Sequence, residues 1–223
     1  MQLKDPSSVS HYLLLQRRML DVFLSVSCHE SNFDVYSVVM ESLITEAGSF
    51  FDSMCQTFIR EEHQAGRIFK NEKMVQDFDL KAKASDTYFN MGDYRLLLEN
   101  EFGLSSREIN LNSYEDSLYS DVLRFSPNQI DGYRLRPLKE WASGNSPDWW
   151  KVFTGLKHDR VSHHKQATLG HAIHALGAVF IVVTEREMAA FKEGHITPEV
   201  YTLFFPKYWT WNGRVAVMGF LWK

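Results

Sequence analysis

Apolar residues recur at steps of three and four over two long stretches in the first third of the chain. The pattern predicts a first helix over about 8–27, capped by Ser7 or Ser8, and a second helix over about 33–64. We expect the two helices to form an antiparallel hairpin. Gly48 interrupts the second helix, either as a tolerated cost or where another helix approaches closely. The apolar stripe of the second helix consists of Val35, Val39, Leu43, Ala47, Phe50, Met54 and Phe58.

The periodicity weakens in the middle of the chain, where polar and charged residues dominate. Residues 67–92 are predicted to form a polar excursion with one short helix at about 72–83. A second short helix is expected over 94–102, ended by Gly103. Weak alternation over 109–125 predicts short strands or an irregular loop. Turn-forming pairs follow at Pro127-Asn128 and Asp131-Gly132.

A third long helix is predicted over about 164–190, with apolar residues on two of its faces. One face carries large side chains, namely Leu169, Ile173, Leu176 and Phe180. The other carries small residues, which would let a neighbouring helix approach closely, namely Ala167, Gly170, Gly177 and Ala178. A helix with two buried faces is expected at the centre of a bundle. The tail over 195–223 is rich in aromatic residues, and its strand-like run over 214–222 suggests a hairpin or an extended lid.

These patterns together predict one mainly α domain spanning all 223 residues. Its core helices lie over about 8–64 and 135–190, with an irregular insertion over 67–134 and the aromatic, β-like tail over 195–223. Sixteen Phe and six Trp indicate a well-packed core rather than a disordered chain.

Composition narrows the classes of function. A net charge of −4 and an isoelectric point near 6.1 provide no overall positive field for nucleic acid. The two cysteines fall within helical patterns, so we expect no disulfide framework and a cytoplasmic location. The longest apolar run, over 175–183, is too short to span a bilayer, and the N-terminus has no apolar signal core. We therefore expect a soluble protein without membrane contact.

The candidate chemistry lies just before the third helix. Five of the nine histidines fall between His158 and His174. Lys157, Arg160 and Lys165 lie in the same stretch, which becomes strongly cationic at mildly acidic pH. If the third helix began early enough, Arg160, His164 and His171 would share one face, and His163 and His174 another.

Three interpretations of this cluster compete. The histidines could be the satisfied polar ends of a buried helix. His171 and His174 could chelate a metal, but no HExxH pattern and no adjacent carboxylate supplies a third ligand. Alternatively, Arg160 or Lys157 could hold a phosphate while a histidine moves protons during attack of an RNA 2′-hydroxyl on its own phosphodiester.

Three carboxylates on the second helix are candidate buried acids: Glu41, Glu46 and Asp52. They could equally form its solvated face. If the second helix packs on the third, Glu46 could pair with Lys157, His158 or Arg160. Glycine-rich phosphate loops, nucleophile elbows and paired-cysteine zinc patterns do not occur in the sequence.

The run from Trp149-Trp150 through Phe153-Thr154 to Lys157-His158-x-Arg160 resembles a motif of uncharacterised bacterial HEPN-like proteins. Residues 138–141 are similar to a segment upstream of that motif. Thr45-Glu46 with Phe50-Phe51 is similar to a stretch on an early helix of the same family. The likeness covers about 8–62 and 135–188.

The resemblance implies an up-and-down helical bundle that often forms a homodimer. Many such proteins are RNA-cleaving toxins or antiphage effectors, and others bind nucleotides or scaffold partners. It therefore implies engagement of RNA or a nucleotide in bacterial stress or phage defence, with metal-independent endoribonuclease activity as its catalytic form. The antitoxin or operon partner is not specified. The alternative is a non-catalytic interaction module in which the Lys-His-x-Arg motif is structural.

On this hypothesis the catalytic residues are His158, Arg160, His163 and His164. Lys157 and Arg160 bind phosphate, whereas Glu46, Asp159 and His171 have supporting roles, and no metal or cofactor is required. The sequence departs from the family's nuclease signature in spacing. Only three residues separate Arg160 from His164, instead of four to six, and the correctly spaced pair His158 and His163 has His in place of Arg. Thr154 stands where the family has Asn.

Overall fold

The structure, a computed structural model, describes residues 5–66, 89–111, 133–188, 200 and 203–206. It is mainly α-helical, as the hydrophobic pattern predicts. Its helices are α1 (Pro6–Phe23), α2 (Val38–Gln64), α3 (Met91–Tyr94), α4 (Asn100–Phe102), α5 (Asp148–His158), α6 (Arg160–His163) and α7 (Leu169–Arg186). A π-helical turn, Arg95–Glu99, joins α3 to α4, and Gly103 ends α4 in the left-handed region at φ 59°, as predicted. Among the described helices, none is both long and apolar enough to cross a membrane.

Helix α1 starts at Pro6, whose fixed φ suits the first helical turn. Asp5 caps it by accepting a hydrogen bond from the Ser7 backbone N–H at 2.9 Å. The predicted cap at Ser7 or Ser8 was therefore wrong by two or three residues. The helix ends at Phe23, four residues before the predicted end.

Helix α2 begins at Val38, five residues later than predicted. Ser37 caps it, accepting from the Met40 N–H at 3.3 Å. Two residues of the predicted apolar stripe are exposed, namely Val35, which lies before α2, and Val39, in its first turn. The later stripe residues Leu43, Ala47, Met54 and Phe58 are buried as predicted.

Helix α7 is the central helix, as its two apolar faces predicted, and it is buried along most of its length. Its closest packing is against α2, with α1 and α5 on its other sides. The two glycines of the small-residue face, Gly170 and Gly177, contact loop and strand residues and not the predicted neighbouring helix. A Cβ at Gly177 would lie 2.9 Å from both Ile109 and Pro137, and one at Gly170 would lie 3.3 Å from the Phe33 Cβ. Loop and strand residues therefore occupy these gaps.

The interruption at Gly48 is explained by a neighbouring helix. A Cβ added at Gly48 on α2 would lie 2.4 Å from the Phe153 ring on α5. The second of the two sequence interpretations is thus confirmed. Glycine at this position lets α2 and α5 approach each other.

A small antiparallel sheet joins the insertion to the tail. Strand β1 (Ile109–Leu111) lies between β2 (Tyr133–Leu135) and β3 (Phe204–Pro206). Ile109 is opposite Leu135 on one side and Pro206 on the other. The predicted helix at 72–83, the turns at 127–132 and the strand-like run at 214–222 lie outside the described residues.

The Trp-Trp segment that carries the family resemblance lies largely in the core. Trp149 is buried and donates its indole N–H to the Pro137 carbonyl at 2.9 Å. Its ring lies edge-on to Phe51 of α2, with centroids 5.1 Å apart. The aromatic part of the motif therefore stabilises the fold and fixes the position of α5 against α2.

A buried arginine joins the end of α7 to α2 and to the N-terminal cap of α1. Arg186, at the end of α7, donates to Glu61 of α2 at 2.8 Å and to Asp5 of α1 at 3.2 Å. The two cysteines, Cys28 and Cys55, are buried and free, and burial raises the pKa of each thiol.

Candidate functional site

The predicted third helix is divided into separate pieces at its N-terminal end. Helix α5 ends at His158, Asp159 adopts an extended conformation, and α6 (Arg160–His163) passes into a 3₁₀ turn before α7. Thr168 then caps α7, accepting from the His171 N–H at 3.4 Å. The prediction of one continuous helix from 164 was wrong, and with it the two predicted histidine faces. Both breaks coincide with favoured capping residues, Asp159 and Thr168.

We call residues 157–166 the basic turn. It contains three Lys or Arg and three His, and Asp159 is its single acidic residue in the sequence. The Asp159 carboxylate accepts a hydrogen bond from the Ser162 N–H at 3.2 Å. Its hydrogen bonds to Ser162 lower the pKa of this carboxyl group. Asp159, predicted as a supporting residue, thus acts as the cap of α6.

Arg160 is held by a buried carboxylate. Its guanidinium forms an ion pair with Glu41 of α2. The Glu41 side chain is only 6% exposed, whereas that of Arg160 is 65% exposed. The ion pair with the buried Glu41 therefore fixes the guanidinium, while much of the Arg160 side chain stays accessible to a ligand.

Glu46 does not pair with the basic turn, so that prediction was wrong. Its carboxylate binds Arg18 of α1 and lies 3.5 Å from the His11 ring nitrogen. Glu41 and Glu46 are five residues apart, which places them about 140° apart around α2. One therefore contacts α6 and the other α1, so the acid that meets the turn is Glu41.

His163 is packed against the helix before it. Its Nδ1–H donates to the Asp159 carbonyl at 2.9 Å. A Cβ at Gly155 would lie 2.4 Å from the His163 ring, so the ring packs directly against the α5 backbone. His163 therefore holds α6 against α5.

His164 is exposed and faces an aromatic neighbour. Its Nδ1–H donates to the Val161 carbonyl at 2.7 Å. Since a carbonyl can only accept, this bond assigns the proton to Nδ1 and makes Nε2 the nitrogen that can take up a proton. The ring lies edge-on to Tyr36, with centroids 6.1 Å apart. Between Arg160 and His164, both described, no hydrogen bond is formed.

The two later histidines do not join Arg160. The His171 Nδ1–H donates to the Gln166 carbonyl at 2.8 Å, which places His171 at the end of the basic turn. His174 donates to the Gly170 carbonyl at 2.8 Å and is largely buried. Burial lowers the pKa of the His174 ring, with smaller effects from its neighbours. Over the described ranges, no three or more His, Cys, Asp or Glu side chains are grouped so that they could hold a metal ion.

The remaining cations of the turn lie at the surface. Lys157, His158 and Lys165 are exposed. The Lys157 ammonium is 5.9 Å from the centroid of the Phe153 ring. These side chains can reach a negatively charged ligand without losing a buried partner.

Exposed apolar residues, which we call the apolar rim, occur next to the basic turn in sequence or in space. They are Val35, Tyr36, Val38, Val39 and Val161. Sequence reasoning placed Val35 and Val39 in the core and did not identify Tyr36 at all. The available signal was Ser37, a favoured cap that moves the start of α2 past Tyr36.

A separate cavity of about 410 Å³ lies between α1 and α2. Its lining includes Asp5, His11, Glu46 and Phe50, and none of the basic turn. The cations of the turn are instead exposed at the surface, an arrangement suited to an extended ligand more than to an enclosed small molecule.

Comparison of the chain with protein-family models, with curated proteins and with solved structures gives no match in any of the three. The HEPN-like resemblance therefore stays a prediction, and the arguments about function come from the geometry of the basic turn.

Proposed function

We propose that this protein binds RNA, or a nucleotide, through the phosphate groups that contact the basic turn. The observation that carries the proposal is the exposure of Lys157, His158, Arg160, His164 and Lys165 on one short segment with a single acid. Lysine and arginine bind phosphate by charge-assisted hydrogen bonds, and histidine adds charge when protonated.

Arg160 supports the proposal in a specific way. A guanidinium presents five N–H donors, so the ion pair with Glu41 uses only part of its capacity. The anchored side chain loses less conformational freedom when it binds a second anion than a free one would. Arg160 is therefore the expected fixed contact, with Lys157 and Lys165 as mobile ones.

Metal-independent cleavage is the second, finer part of the proposal. His164 Nε2 would take the proton of an RNA 2′-hydroxyl as that oxygen attacks the adjacent phosphorus. The 5′-oxygen would leave with a proton from His158 or His163, giving a 2′,3′-cyclic phosphate and a 5′-hydroxyl. Arg160 and Lys157 would stabilise the charge that develops on the phosphate. A homodimer that pairs two turns would bring a second set of these groups to the same phosphodiester.

The biological setting that we propose is the one implied by the family resemblance, namely bacterial stress or phage defence. The competing function is a non-catalytic interaction module. The specific observation in favour of an interaction module is the ion pair between Arg160 and Glu41. This pair ties α6 to α2 and would stabilise the fold without any ligand.

Binding is tested by fluorescence anisotropy with labelled RNA. Lys157→Ala/Lys165→Ala should weaken binding at least several-fold, because two phosphate contacts are lost. The matched control, Lys139→Ala/Lys151→Ala, removes the same charge from exposed lysines outside the turn and should change affinity little. Equal effects of the two double variants would contradict a local site.

Cleavage is tested separately, with purified protein and RNA in the presence of EDTA. His164→Ala should abolish cutting while the melting temperature stays close to the wild-type value and RNA affinity falls less than in Lys157→Ala/Lys165→Ala. If the wild-type protein binds RNA but leaves it intact, the binding proposal stands and the catalytic part is wrong.

A further inference from the structure

The loop before α2 is fixed to the start of α7 by its backbone. The Leu169 N–H donates to the Val35 carbonyl at 2.8 Å, and the Gly170 N–H donates to the Phe33 carbonyl at 3.0 Å. Tyr36 and Thr168 form an isolated antiparallel bridge beside these bonds. Since three residues of the loop, Phe33, Val35 and Tyr36, are tied in this way, the Tyr36 side chain starts from a well-defined position.

Tyr36 is held in that position while about half of its surface, 48%, stays exposed. Its ring lies edge-on to the ring of His164, 6.1 Å between centroids, and thus adjoins the basic turn. Val38 and Val161 are more exposed still, at 70% and 82%. A folded chain rarely fixes an aromatic ring and apolar neighbours at its surface next to cations unless something covers them.

From this juxtaposition we propose that Tyr36 is a stacking platform for an unpaired base, and that the ligand of the basic turn is single-stranded RNA. The inference rests on the proposed RNA binding and adds the class of RNA. The cations of the turn account for phosphate contacts, which single strands and duplexes share. An exposed aromatic ring beside these cations adds a stacking surface, which only a strand with accessible base faces can use.

Charge complementarity favours this occupant over an apolar protein surface. The ring of Tyr36 contacts His164, and Arg160 and Lys165 belong to the same turn, so a partner on the rim also meets several cations. A single strand offers a flat apolar base and a negative phosphate within one nucleotide. That combination matches an aromatic ring that adjoins the His164 imidazole in a turn with further cations.

The test compares an unstructured single-stranded RNA of about 12 nucleotides with a duplex of the same length. Wild-type protein should bind the single strand more tightly. Tyr36→Ala should weaken single-strand binding on the order of 10-fold, because base stacking is lost, and duplex binding by less than about twofold. Tyr36→Phe retains the ring and should stay within about twofold of the wild type for both RNAs. Leu96→Ala, at an exposed apolar residue on a different element, is the matched control and should change neither affinity.

The outcomes separate this inference from the proposed function. If wild-type protein binds both RNAs equally and Tyr36→Ala changes neither affinity, RNA binding stands and the single-strand inference is overturned. If the wild-type protein binds no RNA, both are overturned. Binding to phosphatidylserine vesicles that Tyr36→Ala abolishes, with RNA affinity unchanged, would also overturn the inference by assigning the rim to an anionic membrane surface.

Discussion

Arg160, exposed on α6, forms an ion pair with Glu41, whose carboxylate is buried on α2. This contact connects the basic turn to the core of the protein. An anion that binds Arg160 therefore meets a guanidinium group whose position is fixed by Glu41 of α2. The same contact makes Arg160 a residue with a structural contribution as well as a proposed binding role.

Because of this ion pair, we expect the effects on stability of substituting Arg160 and Glu41 not to be additive. Arg160→Ala leaves a buried carboxylate without its cation and should lower the free energy of unfolding by about 1–3 kcal/mol. Glu41→Gln/Arg160→Ala should be less destabilised than the sum of the two single variants, because the neutral amide no longer needs the cation. Urea denaturation of the four proteins measures this. Arg17→Ala, at an exposed arginine of α1, is the control and should change stability by less than about 0.5 kcal/mol. Simple additivity of the Glu41 and Arg160 effects would contradict the pairing.

We expect Gly48→Ala to lower stability, although alanine is normally preferred to glycine in helices. The added Cβ would lie 2.4 Å from the buried Phe153 ring, so α5 must shift. The expected cost is about 1–3 kcal/mol, larger than the gain of about 1 kcal/mol in helix propensity. Phe153→Leu in the Gly48→Ala background should recover part of the loss. A stabilised Gly48→Ala protein in thermal denaturation would show that α2 and α5 are not in close contact there.

The buried His174 should make the stability of the protein depend on pH. Burial lowers the pKa of this ring below its ordinary value of 6.5. The unfolded chain therefore binds a proton at a higher pH than the folded protein does. Stability should be complete above about pH 6.5 and should fall as the pH is lowered through and below that value. His174→Gln should flatten the profile between pH 7 and pH 5, while His158→Gln, at an exposed ring, should leave it unchanged. Equal effects of both variants would contradict the assignment to His174.

Asp5 should make the stability of the protein depend on pH in a second, more acidic range. Hydrogen bonds from Ser7 and contact with Arg186 hold the pKa of its carboxyl group below the ordinary value of 3.8. The charged form thus stabilises the fold above pH 3.8, and this contribution is lost as the pH falls through the lowered pKa. Asp5→Asn keeps a capping side chain but removes the charge. Its stability deficit relative to wild type should be largest near pH 6 and shrink below pH 3.8, whereas Asp34→Asn, in the exposed loop, should show no such trend. A deficit that does not change with pH would point to the cap alone.

The helical core was predictable from the sequence because the periods of α1, α2 and α7 are long and regular. The central position of α7 followed from its two apolar faces. The boundaries were less predictable, because capping residues such as Ser37 and Thr168 decide them and they also occur inside helices. The π-helical turn at Arg95–Glu99 left no periodic signal.

The candidate site was located by composition but not by geometry. The crowding of histidines near Arg160 selected this segment as the candidate, and the structure shows Lys157, Arg160 and His164 exposed on it. The two predicted histidine faces required one helix from Arg160 to His174, which the 3₁₀ turn and the cap at Thr168 interrupt. The sequence also offered Glu46 as the acid that pairs with the turn, whereas Glu41 has that role. The cap at Ser37 could have placed Tyr36 outside α2, but its backbone bridge to Thr168, more than a hundred residues away in sequence, could not be predicted.

The salt dependence of RNA affinity tests the central claim most directly. Binding through phosphate contacts releases counterions, and each contact to a single strand contributes about 0.7 to the slope of log affinity against log salt. Lys157→Ala/Lys165→Ala removes two exposed cations of the turn, so the slope should become shallower by about 1.4 relative to wild type. Lys139→Ala/Lys151→Ala should keep the wild-type slope. If the turn variant binds RNA with the slope and affinity of the wild-type protein, the basic turn is not the site of RNA binding.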